Sequence, residues 1–156
     1  MATDPFLEED FRVLTPEAFE FVLTNELKRA MRSLNFLTLV VIEPALKGET
    51  ASETREADVA VREVGRLISR DVRETDLLSY TRAGQLSLVL LDADLENAVR
   101  VIDRLMARLD HYEFAQPLTF DVGAACCPTH GLDAESLRRA AEARPVRTRS
   151  HRSNAQ

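Results

Sequence analysis

The sequence has few cysteines and lacks a long apolar run. Its 156 residues include two cysteines, Cys126 and Cys127, which are adjacent in the chain. Because neighbouring residues on a strand point to opposite faces, this pair predicts neither a disulfide bond nor a metal site, and buried free thiols fit a reducing cytoplasm. The sequence also lacks the run of about 18 apolar residues that a membrane-spanning helix needs. We therefore expect a cytoplasmic protein without a membrane span.

Acidic residues outnumber basic ones outside the C-terminal end of the chain. The formal net charge is -6, but the stretch from Arg144 to Gln156 contains four arginines and no acid, so the preceding residues carry about -10. An acidic body argues against a large nucleic-acid footprint, and no nucleic-acid partner is expected. The basic stretch is interpreted as a disordered tail, with a contact to phosphates or to a membrane surface as the alternative.

The apolar residues recur at helical spacing in some segments and form continuous runs in others. Continuous runs rich in β-branched residues predict strands buried on both faces. The first half is predicted to hold a helix from Pro16 to Ser33 with Thr15 as N-cap, a strand from Phe36 to Glu43 that Pro44 ends, and a helix from Glu56 to Arg70. The second half is predicted to hold a hairpin between Arg73 and Leu91, a helix capped by Asp94, a strand from Leu118 to Cys127, and a short helix that Asp133 caps and that stops before Pro145.

This order of elements predicts an α/β fold of the α+β sandwich type, in which helices flank a central mixed sheet. Hydrophobic residues make up 45% of the chain, which is enough apolar content for one domain of this length to fold without disulfide bonds. The working assumption is therefore a single domain.

Two short motifs lie on the predicted hairpin. Arg73-Glu74-Thr75-Asp76 precedes its first strand, and Arg82-Ala83-Gly84-Gln85-Leu86 forms its turn five residues later. The arrangement resembles the GGDEF family, the diguanylate cyclases, in which an Arg-x-x-Asp inhibitory motif lies five residues before Gly-Gly-Asp-Glu-Phe. Segments 25–30 and 119–128 are similar to further family motifs in the same order. The resemblance implies an adenylyl-cyclase-like palm over residues 15–143, with residues 1–14 as a lead-in segment and 144–156 as the tail.

The resemblance also implies that the catalytic groups have been lost. In the family, one metal-binding aspartate ends the first strand and another acid lies in the hairpin turn, and here Ile42 and Gln85 occupy those positions. An amide oxygen lacks the negative charge that a hard divalent cation prefers. Glu43 is one residue away from Ile42, so it points to the other face of a regular strand and reaches the site only through a bulge.

Three further departures concern the nucleotide itself. Arg82 and Ala83 replace the paired glycines that let the backbone approach the substrate, and Thr50 replaces the asparagine expected to read guanine, although Asp58 fits the aspartate that works with it. We therefore predict no diguanylate cyclase activity, no catalytic residues, no metal and no cofactor. The alternative is an enzyme whose metal site is rebuilt around Glu43 and Asp58.

The inhibitory motif, in contrast, is intact. In the family it binds the product, cyclic di-GMP, and an arginine of the following helix joins it. Arg73 and Asp76 match the motif, Arg104 lies where the helical arginine is expected, and Arg100 is one turn away. A guanidinium binds a guanine edge or a phosphate, and a carboxylate accepts the guanine N–H groups, so these four residues form the predicted ligand site. A plain surface salt bridge between Arg73 and Asp76 is the alternative reading.

Two functions follow from these residues. The leading hypothesis is a degenerate GGDEF domain that acts as a cyclic di-GMP receptor and signals by contact with another protein or a second protomer. The alternative is a protein-interaction scaffold that keeps the fold and needs no nucleotide.

Overall fold

The computed structural model describes residues 13–46, 54–82, 84–114 and 117–147 of the chain. The helices are α1 (Pro16–Ser33), α2 (Thr54–Asp71), α3 (Leu95–His111) and α4 (Ala134–Ala143). The strands are β1 (Leu37–Leu46), β2 (Leu77–Arg82), β3 (Gln85–Leu91), β4 (Leu118–Cys127) and β5 (Pro145–Arg147). Within the described ranges, no helix combines the length and the apolar content needed to cross a bilayer.

The five strands form one sheet in the order β2-β3-β1-β4-β5, and every neighbouring pair is antiparallel. The predicted fold class is confirmed, but the sheet predicted to be mixed has no parallel pair among its five strands. The reason is topological: α2 returns the chain so that β2 runs in the direction of β1, but β3 lies between them. The parallel element is an isolated bridge between Leu14 and Ser79.

Alternate residues of the central strand face two separate cores. Val40 and Ile42 are fully buried in the layer formed with α2 and α3, whereas Leu39 and Val41 belong to the layer formed with α1 and α4. The period of two therefore makes β1 apolar on both sides, as its continuous apolar run predicts. Burial of these apolar side chains drives the packing of both helical layers against the sheet.

The starts of α1, α3 and α4 agree with the sequence because each is set by a local hydrogen bond. The side chains of Thr15, Asp94 and Asp133 accept hydrogen bonds from the backbone N–H groups of Ala18, Asn97 and Ser136, three residues later in each case. The cap of Asp133 also lowers the pKa of its carboxyl group, chiefly through the backbone N–H of Ser136. The predicted starts of α1, α3 and α4 are confirmed.

One strand boundary differs from the prediction, and one strand was not predicted. Pro44 does not end β1, because the pairing of β1 with β3 stops at Ile42 and the strand continues beside β4 alone. On that open side a residue without an N–H breaks no ladder bond. Strand β5 lies within the first residues of the segment interpreted as a tail, where it pairs with β4. Residues 148–156 lie outside the described residues.

Candidate functional site

The predicted inhibitory motif forms a closed turn between α2 and β2. The backbone N–H of Asp76 donates to the carbonyl oxygen of Arg73 at 3.0 Å. In the other direction, the backbone N–H of Arg73 donates to Oδ2 of Asp76 at 3.1 Å. A short carboxylate placed three residues after the first residue of the turn can make this bond, so the Arg-x-x-Asp spacing has a local structural cause.

The same two residues also form hydrogen bonds between this turn and the end of β3, the strand that neighbours β2. Nη2 of Arg73 donates to the carbonyl oxygen of Leu91 at 3.0 Å, and the N–H of Leu91 donates to Oδ1 of Asp76 at 3.4 Å. Nη2 of Arg73 lies 3.6 Å from Oδ1 of Asp76. The side chain of Asp76 is 4% exposed and that of Arg73 is 66% exposed. The carboxylate therefore organises the turn, and the guanidinium presents charge to solvent.

The two predicted arginines of α3 lie on its exposed surface. Arg100 is paired with Glu96 at 3.8 Å, one turn earlier on the same helix. Arg104 is exposed, and one further turn along, Nε of Arg108 lies 2.9 Å from Oδ2 of Asp71. Asp71 is the last residue of α2 and precedes Arg73 by two residues. This ion pair brings the arginine stripe of α3 (Arg100, Arg104 and Arg108) against the end of α2 that leads into the turn.

The hairpin turn between β2 and β3 contains a glycine in the left-handed region of backbone conformation. Gly84 has φ of +75°, a conformation that side chains with a Cβ rarely adopt, and β3 starts directly after it. The first side chain of β3, Gln85, is 2% exposed. Its Nε2 donates to Oε2 of Glu43 at 2.9 Å and to Oε2 of Glu142 at 3.4 Å.

Gln85 thus bridges two carboxylates through its amide nitrogen, one on β1 and one on α4. Helix α4 packs so closely on β4 that a Cβ on Gly123 would overlap the carbonyl oxygen of Ala141. This close packing allows Glu142, the next residue of α4, to reach Gln85. The Oε1 atom of Gln85 is buried and has no hydrogen-bond partner among the described residues. The amide of Gln85 is thus a neutral donor between two acids.

The positions on β1 follow the register expected for a regular strand. Residues pair one to one with β4 from Leu37 to Leu46, so this ladder contains no bulge. Ile42 is fully buried in the layer with α2 and α3, and Glu43 points to the opposite face, where it meets Gln85. Within the described ranges, no group of three or more His, Cys, Asp or Glu residues is arranged to hold a metal ion.

Some candidate positions cannot be placed. Thr50 and Ala83 lie outside the described residues, and the side chains of Asp58 and Arg82 are likewise outside what the structure describes. The structure adds two participants that the sequence reasoning missed, Arg108 and Glu142. Arg108 could have been found from its four-residue spacing after Arg104. Glu142 carries no such signal, since its approach to Gln85 depends on how α4 packs on the sheet.

Comparisons with known proteins identify the fold. Neither a protein-family model nor a curated protein matches the sequence. Among solved structures, the FimX GGDEF domain from Pseudomonas aeruginosa has a TM-score of 0.76 at 12% identity, covering 90% of this chain and 91% of that one. The GGDEF domain of YfiN (TpbB) from the same organism has a TM-score of 0.73 at 18% identity, covering 84% and 86%.

A third similar structure contains a ligand. The GGDEF domain of DgcB from Caulobacter crescentus, in complex with c-di-GMP, has a TM-score of 0.70 at 11% identity and covers 92% of this chain and 86% of that one. The TM-scores establish the fold. At identities this low the comparison does not assign a function, which has to be argued from the residues of the site. The chain therefore has the GGDEF fold.

Proposed function

We propose that this domain is a catalytically inactive receptor for cyclic di-GMP. The observation that carries the proposal is the placement of Arg73, whose guanidinium is fixed by Leu91 and Asp76 at the edge of the sheet while 66% of its side chain stays exposed. A fixed, exposed arginine loses little conformational freedom when it binds an anion. The c-di-GMP complex of the DgcB domain supports the choice of ligand.

The chemistry of the ligand fits the arginines around the turn. Cyclic di-GMP offers two guanine edges and two phosphates, and a guanidinium binds either group with paired hydrogen bonds. Arg73 is proposed to contact one of these groups, and Arg104, with Arg100 beside it, another. Asp76 already accepts two backbone N–H groups, so we infer that it acts chiefly by holding Arg73 in place.

Loss of cyclase activity is the second part of the proposal. Joining two GTP molecules requires divalent ions held by carboxylates next to the reacting phosphate. Ile42 is a buried hydrocarbon at one of the two family positions for such an acid, and Gln85 presents an N–H group to Glu43 and Glu142 at the other. In this proposal no residue of the domain catalyses the cyclase reaction, and binding is the output, passed on by contact with another protein or a second protomer in the cytoplasm.

Isothermal titration of cyclic di-GMP into the full chain tests the receptor. We expect binding heat with the wild type and its loss in Arg73→Ala. The matched control is Arg29→Ala, since Arg29 is an exposed arginine that pairs with Glu26 three residues away on α1. No heat in the wild type, or the same isotherm in Arg73→Ala, would remove the proposal.

Two alternatives have their own tests. The contacts of Arg73 and Asp76 also close a surface turn by themselves, which favours a scaffold that binds its partner without nucleotide. Partner capture that does not change with added cyclic di-GMP would support that reading.

An enzyme rebuilt around Glu43 and Asp58 requires a cyclic product from GTP with Mg²⁺ or Mn²⁺, and we expect none.

A further inference from the structure

Helix α1 carries a buried stripe of side chains and a second, exposed one. The buried stripe packs in the layer that α1 forms with α4, and it consists of Phe19, Leu23, Leu27 and Ala30. The exposed stripe consists of Glu17, Phe21, Thr24, Lys28 and Met31, with Arg32 next to its last residue. Steps of four and three residues alternate along it, which is the spacing of the contact seam between two helices of a coiled coil. The exposed stripe therefore has the geometry of a helix–helix contact. Residues 1–12 of the lead-in segment lie outside the described residues.

Two side chains of the exposed stripe are large and apolar. Phe21 is 70% exposed and Met31 is 42% exposed. Contact of these apolar groups with water is unfavourable, so covering them with another protein surface gains free energy. A single exposed apolar residue is ordinary on a protein surface, but two on one seam with contact spacing indicate an interface.

The charges of the exposed stripe are divided between its two ends. Glu17 lies at the N-terminal end, and Lys28 and Arg32 lie at the C-terminal end. Among the described residues, these three side chains form no ion pair. Off the stripe on the same helix, in contrast, Glu26 is paired with Arg29. The exposed stripe therefore offers an acid at one end and two bases at the other to a partner.

A second copy of the chain complements this pattern when its α1 runs antiparallel. With the two-fold axis beside Thr24, Glu17 of one copy faces Arg32 of the other. Phe21 of one copy then faces Lys28 of the other, whose aliphatic stem covers the ring and whose ammonium group is attracted to the ring face. A parallel pair would instead place each charge against its own copy, and such like-charge contacts are unfavourable. The charge pattern thus selects both the partner and its direction.

We propose that the domain forms a symmetric homodimer in which α1 packs antiparallel on α1 of a second copy through the exposed stripe. The two helices of this layer, α1 and α4, lie on the face of the sheet opposite to α2 and α3. Arg104 belongs to α3, so the pair leaves the arginines of that helix open to solvent. The homodimer does not depend on cyclic di-GMP, and it would supply the second protomer through which the proposed receptor signals.

Sedimentation velocity of the full chain tests the pairing. We expect a monomer–dimer equilibrium for the wild type. Glu17→Arg and Arg32→Glu each turn both attractive charge pairs of the dimer into repulsive ones, so each should weaken self-association about tenfold. An equal mixture of the two variants restores opposite charges at both pairs and should associate about as tightly as the wild type. Arg29→Glu makes the same change of charge on α1 outside the stripe, and this control should leave the dimer unchanged.

A cysteine crosslink tests the direction of the pair. The native Cys126 and Cys127 are buried, so a cysteine introduced at an exposed position is the one that oxidises. Thr24→Cys places two sulfurs beside the two-fold axis and should give a disulfide-linked dimer. Lys28→Cys should still dimerise in reducing buffer but give no crosslink, because its two Cα atoms lie about 10 Å apart along the helix axes.

Three results would overturn the homodimer. They are a wild type that stays monomeric at every concentration its solubility allows, a mixture of natively folded Glu17→Arg and Arg32→Glu that does not associate, and efficient crosslinking at both cysteine positions, which indicates a parallel pair. A monomer that gives binding heat with cyclic di-GMP would overturn the homodimer and leave the proposed function standing. A dimer that binds no cyclic di-GMP would support the homodimer and remove the proposed function.

Discussion

Nη2 of Arg73 donates a hydrogen bond to the backbone carbonyl oxygen of Leu91, at a distance of 3.0 Å across 18 positions of sequence. The bond joins the turn after α2 to the last residue of β3, so the exposed arginine is attached to the sheet and does not extend freely from a loop. Asp76 adds a second bond to the same residue, since its buried carboxylate accepts a hydrogen bond from the N–H of Leu91. The position of the candidate site is thus set by hydrogen bonds to the edge of the sheet.

Replacement of Asp76 should destabilise the protein and weaken ligand binding together. Asp76→Ala leaves the backbone N–H groups of Arg73 and Leu91 without their acceptor, and we expect a loss of about 2 kcal/mol in the free energy of unfolding. Urea unfolding measures this loss. Asp103→Ala, at an exposed position on α3, is the control and should change the stability by less than about 0.5 kcal/mol. Equal stability of the two variants would show that the carboxylate does not hold the turn.

Conversion of the buried amide at the hairpin turn into an acid should make the stability of the protein fall as pH rises. Gln85→Glu places a carboxyl group beside Glu43 and Glu142 in a site that is 2% exposed, so burial and like charge raise the pKa of the introduced group. A raised folded-state pKa means that stability is highest at low pH and falls as pH rises through that pKa.

Thermal unfolding between pH 4 and pH 8 tests this variant, with Gln85→Met as a control that lacks the titrating group. We expect the melting temperature of Gln85→Glu, relative to Gln85→Met, to decline with increasing pH, and Mg²⁺ to offset part of the decline. A flat difference between the two variants would mean that the introduced group is not confined beside the two acids.

The end of β4 should make stability depend on pH in the opposite direction. Nδ1 of His130 accepts a hydrogen bond from the N–H of Cys126 at 2.9 Å, and burial, with a smaller contribution from Arg144, lowers the pKa of the imidazole. The folded state therefore binds this proton less readily than the unfolded chain. Stability is complete above the ordinary imidazole pKa of about 6.5 and declines as pH falls from there toward the lowered pKa.

Denaturant unfolding at pH 7.5 and pH 5.5 checks this contribution. We expect His130→Ala to reduce the difference in unfolding free energy between the two pH values, and His111→Ala, at the exposed end of α3, to retain it. An undiminished difference in His130→Ala would assign the pH dependence to other groups.

Local signals in the sequence account for much of the fold. Thr15, Asp94 and Asp133 could be identified as helix caps because each bonds to a backbone N–H three residues ahead. Pro44 was wrongly read as a strand end, since whether a proline is tolerated depends on which neighbour pairs with the strand, and that is a property of the whole sheet.

The candidate site likewise contains one contact that the sequence could predict and others that it could not. Asp76 contacts Arg73 through a turn of four residues, so the sequence could place the two together. The contacts of Arg73 with Leu91, of Arg108 with Asp71 and of Glu142 with Gln85 join distant parts of the chain. Their existence depends on tertiary packing, for which the sequence gives no local signal.

A crystal structure of the full chain with cyclic di-GMP and Mg²⁺ would show directly where the ligand binds. We expect the dinucleotide at the sheet edge, with guanine or phosphate groups bound to Arg73 and Arg104 and no ion between Glu43 and Gln85. A ligand bound with Mg²⁺ at the hairpin turn, with the surface around Arg73 empty, would contradict the proposed receptor.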